Sequence, residues 1–315
     1  MGKLTDFPAI CLMGPTASGK TEFALKLFEA LPVAIVSVDS AMVYRGMDIG
    51  TAKPDVETQR RAPHRLLDIR DPDLPYSAGD FVRDAGMAME KIRADGRVPL
   101  LVGGTMMYFR ALTRGIANLP SADRTLRGRI DREAASAGWP AMHRQLMTID
   151  PAAAARIAPN DSQRIQRALE VYRKSGKPLT AWQADARPTQ GGAPYLKIGL
   201  IPEPRRELHR RIERRWRMML EAGLVEEVVR LKRKPSLSSR SPSMRAVGYR
   251  QVWSYLDGQC SLDEATDRAL AATRQLAKRQ LTWLRAESEL IPLNPLEPDA
   301  LSTLLTLLTS RIGKD

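Results

Sequence analysis

The chain has 315 residues, 43% hydrophobic and 27% charged, which is typical of a globular protein with one large core domain and a smaller one. Its formal net charge of +13 indicates a polyanionic partner, with nucleic acid favoured over an acidic membrane surface. The two cysteines, Cys11 and Cys260, fit neither a metal nor a disulfide pattern, and no apolar run approaches the ~20 residues of a membrane span. We therefore expect a cytoplasmic protein with no signal peptide and no membrane partner.

The first predicted element is an apolar strand at residues 9–13, which leads through a Gly-rich turn into a helical pattern. The turn matches G-x-x-x-x-G-K-[ST], and its backbone N–H groups would point at an anion, aided by the positive end of the following helix. Lys20 would reach the terminal phosphates and the Thr21 hydroxyl would hold Mg²⁺. The pattern predicts a diphosphate- or nucleotide-binding phosphate loop, against the alternative of a turn that binds nothing, formed by Gly14, Pro15, Thr16, Ala17, Ser18, Gly19, Lys20 and Thr21.

The second predicted strand, at 33–38, is apolar nearly throughout, as in a parallel strand that is covered on both faces. It ends at Asp39 and Ser40. Because ligands of open parallel sheets bind beyond the carboxyl ends of the strands, we expect the Asp39 carboxylate close to the phosphate loop that leaves the neighbouring strand. The alternative is that Asp39 is a helix cap or a turn residue.

A third buried strand is predicted at 98–102, and it ends in the sequence Gly103, Gly104, Thr105. A pair of glycines directly after a strand indicates a tight turn beneath a ligand. Thr105 is therefore either a residue of the same pocket or the cap of a helix at 106–112.

The remaining elements alternate between ordered loops and helices. Residues 40–75 are predicted to be an ordered irregular loop, 77–95 a helix, and the Arg-rich residues 121–180 a series of short helices that form an insertion. After a linker at 187–194, a strand at 195–201 returns to the sheet. Basic helices follow at 204–234, as one helix or a pair, and at 269–285, before a linker at 294–299 and a tail helix at 301–312.

These elements predict an α/β fold with a P-loop NTPase-like parallel sheet flanked by helices, a small all-helical insertion domain and a basic C-terminal helical region. We expect the first part of the core at 1–120, the insertion at 121–190, the return to the core with the basic helices at 191–290, and the tail at 291–315.

Six stretches of the chain closely resemble the bacterial tRNA dimethylallyltransferases. They are GPTASGKT at 14–21, DSAMVYRGMDIGTAKP at 39–54, APHRLLDIRDP at 62–72, LVGGTMMYF at 101–109, VGYRQVWSYL at 247–256 and ATRQLAKRQLTWLR at 272–285. The resemblance extends to about residue 290. The phosphate loop alone is shared with many NTPases, whereas the stretch at 39–54 is far more specific, because nucleotide binding does not require it.

The resemblance implies transfer of a dimethylallyl group from dimethylallyl diphosphate to N6 of the adenosine just 3′ of the tRNA anticodon. It implies that the phosphate loop holds the diphosphate with Mg²⁺ at Thr21, that Asp39 is the general base, and that the Thr105 hydroxyl contacts the target nucleotide. The chain departs from the family at Met42, where many members carry Gln. The partners implied are the tRNA anticodon stem-loop and dimethylallyl diphosphate, with a monomer as the default state.

The resemblance also implies a set of tRNA contacts, which come from four stretches and two single residues. They are Asp39, Ser40, Ala41, Met42, Thr105, Arg127, Gln163, Arg164, Ile165, Gln166, Arg167, Arg245, Ala246, Val247, Gly248, Tyr249, Arg250, Thr273, Arg274, Gln275, Leu276, Ala277, Lys278, Arg279 and Gln280.

Elementary chemistry is consistent with this reaction. An allylic diphosphate ionises when its leaving group is neutralised, and a carboxylate such as Asp39 can accept the proton that the weakly nucleophilic amine loses. Three alternatives stay open: a P-loop kinase for a small metabolite, an isopentenyltransferase acting on free adenine nucleotides, and an RNA-binding ATPase. The basic insertion and the helix at 269–285 favour a macromolecular acceptor, since AMP offers nothing for them to hold.

Overall fold

A computed structural model describes residues 7–117, 119–185 and 195–311. The chain divides into two compact units, one combining Met1–Ala111 with Gly192–Asp315 and the other consisting of Leu112–Gly191. The predicted linker at 187–194 and the end of the predicted tail helix at Ile312 lie outside the described residues.

The first unit contains a parallel six-stranded sheet, which confirms the predicted fold class. The strand order is β3-β2-β4-β1-β5-β6. In chain order the strands are β1 (Ile10–Met13), β2 (Val33–Val38), β3 (His64–Arg65), β4 (Val98–Gly103), β5 (Leu196–Leu200) and β6 (Leu290–Leu293).

Helices connect and cover these strands. In chain order, those of the described residues are α1 (Lys20–Ala30), α2 (Val56–Arg61), α3 (Ala78–Ala94), α4 (Met106–Arg114), α5 (Arg124–Ala137), α6 (Trp139–Ile149), α7 (Pro151–Ala154), α8 (Ser162–Ser175), α9 (Leu179–Ala184), α10 (Arg205–Glu221), α11 (Leu224–Lys232), α12 (Tyr249–Leu256), α13 (Leu262–Arg285) and α14 (Ala300–Thr309).

The structure refines three sequence-based expectations about these elements. The helix predicted at 269–285 begins at Leu262, because Ser261 and Glu264 form a reciprocal capping box at its start. The basic region at 204–234 is a helix pair that is broken at Gly223, whose φ is +94°. The loop predicted at 40–75 contains α2 and the two-residue strand β3, and both are too short for a periodic pattern to indicate them.

The core of the first unit lies on the sheet around α1 and α14. All four residues of β1 are buried, and so are Phe23 and Leu27 of α1 and Leu304 and Leu308 of α14. Parallel strands that are covered in this way read as continuous apolar runs, which is why β1, β2 and β4 were evident in the sequence. No described helix has the length and apolar character needed to cross a membrane.

The second unit has its own apolar core, built by α5, α6 and α8 around Ile130, Met142, Leu146 and Ile165. This unit also contains a fully buried carboxylate, Glu170 of α8. It accepts hydrogen bonds from its neighbours Arg127, Arg167 and the Asp123 backbone N–H.

Candidate active site

The phosphate loop joins β1 to α1 and depends on two glycines. A Cβ on Gly14 would lie 2.7 Å from Ser18 Oγ and 3.2 Å from the Leu200 carbonyl oxygen, so a side chain does not fit there. Gly19 precedes α1 with a φ of +91°, and no side chain caps the helix start. The first N–H groups of α1 are therefore available to an anion, as a phosphate loop requires.

Lys20 folds back over this loop. Its Nζ donates to the Pro15 carbonyl oxygen at 2.6 Å and lies 3.5 Å from Ser18 Oγ. The pKa of the Lys20 ammonium is lowered to about 7, chiefly by burial and further by the positive charge of Arg215, while the Asp39 carboxylate partly opposes both effects. A diphosphate would supply an anionic partner for the Lys20 ammonium, so the loop is electrostatically suited to that ligand.

Two arginines of α10 extend the positive charge around the loop. Arg211 Nη1 lies 3.7 Å from the position of a Cβ on Gly19. Arg215 donates to the Thr51 carbonyl oxygen at 3.1 Å. Burial lowers the pKa of the Arg215 guanidinium, and attraction to Asp39 partly offsets that effect. Both arginines belong to the cluster from which the sequence could not select a diphosphate contact.

Gln280 of α13 connects the phosphate loop to the turn after β4. Its Oε1 accepts from the Thr16 backbone N–H at 2.9 Å, and its Nε2 donates to the Gly104 carbonyl oxygen at 2.8 Å. The side chain is buried, and a Cβ on Gly104 would lie 2.5 Å from Nε2. The resemblance implies a tRNA contact for Gln280, whereas here its amide is used within the protein.

Asp39 and the phosphate loop lie at the same edge of the sheet, but not on adjacent strands. The expectation of a neighbouring strand was wrong, because β4 lies between β1 and β2. Gly103 pairs with both Met13 and Val38, and a Cβ on Gly103 would lie 2.0 Å from the Val38 carbonyl oxygen. The glycine thus allows the three strand ends to approach closely enough to form one site.

The Asp39 carboxylate uses one oxygen for structure and leaves the other available. Oδ1 accepts from the backbone N–H groups of Ala41 at 2.8 Å and Met42 at 3.1 Å, which is the turn role considered above. Among residues 7–117, 119–185 and 195–311, no donor forms a hydrogen bond with Oδ2. Thr105 Oγ1 accepts from the Ser40 backbone N–H at 3.1 Å, so Thr105 stands beside the same turn.

A buried carboxylate that sequence reasoning missed, Glu227 of α11, holds the loop after Asp39. It accepts from the backbone N–H groups of Asp48, Ile49 and Gly50 at 2.8–3.2 Å and from the Tyr249 hydroxyl at 2.5 Å. The signal was present, since Glu227 lies on the apolar stripe of Leu224, Val228 and Leu231. Tyr249, implied to be a tRNA contact, is fully buried and serves this structural contact.

The other implied tRNA residues differ in accessibility. Arg127 and Arg167 bond to Glu170, Arg274 bonds to Glu213, Gln166 bonds to Asp131, and Ile165 belongs to the core of the second unit. Gly248 and Ala277 are buried, whereas Ala246, Val247, Thr273 and Leu276 are half-buried. The side chains exposed to solvent are those of Ser40, Gln163, Arg164, Arg245, Arg250, Gln275, Lys278 and Arg279.

Thr21 provides a hydroxyl at the exposed start of α1, where Mg²⁺ is expected. Within the described part of the chain, no three His, Cys, Asp or Glu side chains form a metal-binding group. Mg²⁺ in phosphate sites is held mainly by substrate phosphates and water with one or two protein oxygens, and Thr21 fits that mode.

Comparisons with known proteins identify the family. A family model described as IPP transferase matches residues 42–287. A tRNA dimethylallyltransferase of Thiobacillus denitrificans is 55% identical over 308 residues, 97% of each chain, and a tRNA dimethylallyltransferase 2 of Hahella chejuensis is 53% identical over 97% of this chain and 96% of its own. Among solved structures, a tRNA isopentenylpyrophosphate transferase of Bacillus halodurans matches with a TM-score of 0.69. Its sequence is 36% identical to this chain, and the match covers 96% of both chains. The chain belongs to the IPP transferase family.

Proposed function

We propose that this protein transfers the dimethylallyl group of dimethylallyl diphosphate to N6 of the adenosine directly 3′ of the anticodon in tRNA. The observation that carries the proposal is the approach of the phosphate loop and the Asp39 carboxylate at the carboxyl ends of β1 and β2, which β4 joins and where Lys20 and Asp39 interact electrostatically. The names of the relatives support the choice of donor and acceptor.

The donor side of the site stabilises a leaving diphosphate. The N–H groups at the start of α1, Lys20, Arg211 and Arg215 direct positive charge toward the loop. The Thr21 hydroxyl would hold Mg²⁺ together with the phosphates, and the bound ion would supply further neutralisation. As the allylic C–O bond breaks, its electron pair stays on the diphosphate, which these groups stabilise.

The acceptor side removes one proton. The adenosine amine forms the new C–N bond and loses a proton, which Oδ2 of Asp39 accepts. Oδ1 stays bound to the Ala41 and Met42 N–H groups, so the carboxylate holds its orientation during the transfer. The adenine must leave the anticodon-loop stack to reach this site, and we propose that Thr105 contacts it there.

A tRNA acceptor accounts for the basic surface. The exposed Arg245, Arg250, Lys278 and Arg279 of the first unit and Arg164 of the second are proposed to contact the RNA backbone. The helical insertion at 121–190 is proposed to share in this contact. A tRNA acceptor also implies a cytoplasmic location, and we propose a monomer.

Partition of labelled dimethylallyl diphosphate between acceptors tests the proposal. The purified protein is incubated with the labelled donor and either an unmodified anticodon stem-loop or AMP, and ATP consumption is followed in parallel. Label in the stem-loop alone, lost when the target adenosine is replaced by guanosine, supports tRNA prenylation. Label in AMP alone would identify a free-nucleotide prenyltransferase. ATP turnover without label transfer would indicate a kinase or an ATPase.

A further inference from the structure

A cavity of about 510 Å³ opens beyond the carboxyl end of β5. It is lined by the segment that follows this strand, by the start of α10 and by the last turns of α13. Leu281 contributes an apolar wall and Thr282 a hydroxyl, while Arg205, Lys278 and Arg285 contribute positive charge. The phosphate loop contributes no lining residue in the described part of the chain, so this cavity is distinct from the donor site.

Three cations line the cavity. None of Arg205, Lys278 and Arg285 forms an ion pair with any described residue. The same helices pair other arginines: Arg211 with Glu207 and Arg274 with Glu213. Glu203 also lines the cavity, but its side chain pairs with none of the three cations. The cavity therefore concentrates positive charge that no ion pair with a described residue balances.

We propose that this cavity binds a backbone phosphate of the tRNA, held by Arg205 and Arg285 together with Lys278. The three positive charges around the cavity repel one another. A bound RNA phosphate would relieve that repulsion and release its own counterions. Lys278 lies two residues before Gln280, whose amide contacts the phosphate loop, so α13 serves both sites. The inference rests on the proposed function and adds Arg205 and Arg285 to the acceptor interface.

The salt dependence of stem-loop binding tests the inference. We compare the wild type, the double variant Arg205→Ala/Arg285→Ala and the control Arg206→Ala/Arg233→Ala, which removes two exposed arginines outside the cavity. The cavity variant is expected to lower the slope of log Kd against log salt concentration by about 0.7, since each single-strand phosphate contact contributes about 0.7 and the cavity is proposed to hold one phosphate. The control should change the slope by less than half as much, and Arg205→Lys/Arg285→Lys should restore most of it.

An equal loss of slope in the control would mean that net charge and not the cavity is responsible, and an unchanged slope in the cavity variant would also overturn the inference.

Titration with inorganic diphosphate separates an RNA phosphate from a free anion. One diphosphate per chain in both the wild type and the cavity variant is expected, whereas a second one that the variant loses would assign the cavity to a free anion. If the wild type neither binds nor prenylates the stem-loop, the proposed function fails. If it does both and the variant slope is unchanged, only this inference fails.

Discussion

Gln280 accepts a hydrogen bond from the backbone N–H of Thr16 at 2.9 Å, across 264 residues of sequence. The same amide donates to the Gly104 carbonyl oxygen, directly before Thr105. One buried side chain thus fixes the loop proposed to hold the donor and the turn proposed to meet the acceptor. Because a phosphate loop acts by holding its N–H groups in place, loss of this contact should weaken binding of the donor diphosphate more than binding of the tRNA.

Replacement of Gln280 by Met keeps the length of the side chain and removes both hydrogen bonds. A buried group left unsatisfied costs about 1–3 kcal/mol, so we expect a roughly tenfold rise in KM for dimethylallyl diphosphate, with a lower kcat. The Kd for the anticodon stem-loop should be unchanged. Steady-state kinetics and a binding titration measure the two quantities separately.

Arg279→Ala is the matched control, because the exposed Arg279 is adjacent to Gln280 on α13. It should weaken stem-loop binding and leave KM for the diphosphate unchanged. If Gln280→Met weakens RNA binding and spares the donor instead, then Gln280 is a tRNA contact, as the family resemblance implied.

The pKa of Lys20, lowered to about 7, predicts pH-dependent diphosphate binding. Bound diphosphate raises this pKa, so binding takes up a proton at pH values above 7 and affinity falls there by up to about tenfold per pH unit. Below pH 7 Lys20 is already charged and adds no pH dependence. Calorimetric titration of inorganic diphosphate at pH 8 in buffers of different ionisation enthalpy should report proton uptake. In the variant Lys20→Arg the side chain stays charged, so the proton uptake that Lys20 contributes should disappear. Equal proton uptake in both proteins would show that Lys20 is not its source.

Asp39→Asn separates the proposed base from the turn. The amide oxygen of Asn can still accept from the Ala41 and Met42 N–H groups, so the turn should persist. The side chain can no longer accept a proton, and turnover should fall by about 10²- to 10⁴-fold. Single-turnover transfer with saturating tRNA measures the step, and the stem-loop Kd should be unchanged. Wild-type turnover would remove Asp39 from the chemistry.

The Tyr249 hydroxyl should matter for stability and not for RNA binding. Tyr249→Phe removes one of the four donors to the buried Glu227 carboxylate, which should lower the free energy of unfolding by about 1–3 kcal/mol. Urea denaturation measures this change. Tyr255→Phe is the control, because Tyr255 is only half-buried and its hydroxyl forms no hydrogen bond with the described residues. A weaker stem-loop Kd at wild-type stability would restore Tyr249 as a direct contact.

The parts of this fold that the sequence predicted are those with strong local signals. The apolar runs of β1, β2 and β4 indicated a parallel sheet, and the residues from Gly14 to Thr21 indicated a phosphate loop. Periodic patterns do not encode strand order, so the insertion of β4 between β1 and β2 was not foreseen. That order explains Gly103, whose lack of a side chain lets Val38 approach.

The contacts within the site that the sequence did not predict are those whose partners are distant in the chain. Glu227 meets the N–H groups of Asp48 to Gly50 from almost 180 residues away, and Gln280 meets Thr16 from farther still. Motif matching assigns a stretch such as 273–280 to one role. Burial divides it, since Lys278 and Arg279 face solvent while Ala277 and Gln280 face the protein.

The mass of the nucleosides released from tRNA after reaction tests the central claim most directly. Unmodified tRNA is incubated with the wild-type protein and dimethylallyl diphosphate, digested to nucleosides and analysed by mass spectrometry, while released diphosphate is counted. The account predicts one dimethylallyl group on the adenosine just 3′ of the anticodon and one diphosphate per group, with both products formed about 10²- to 10⁴-fold more slowly by Asp39→Asn. Diphosphate release without a modified adenosine, or a dimethylallyl group elsewhere in the tRNA, would contradict it.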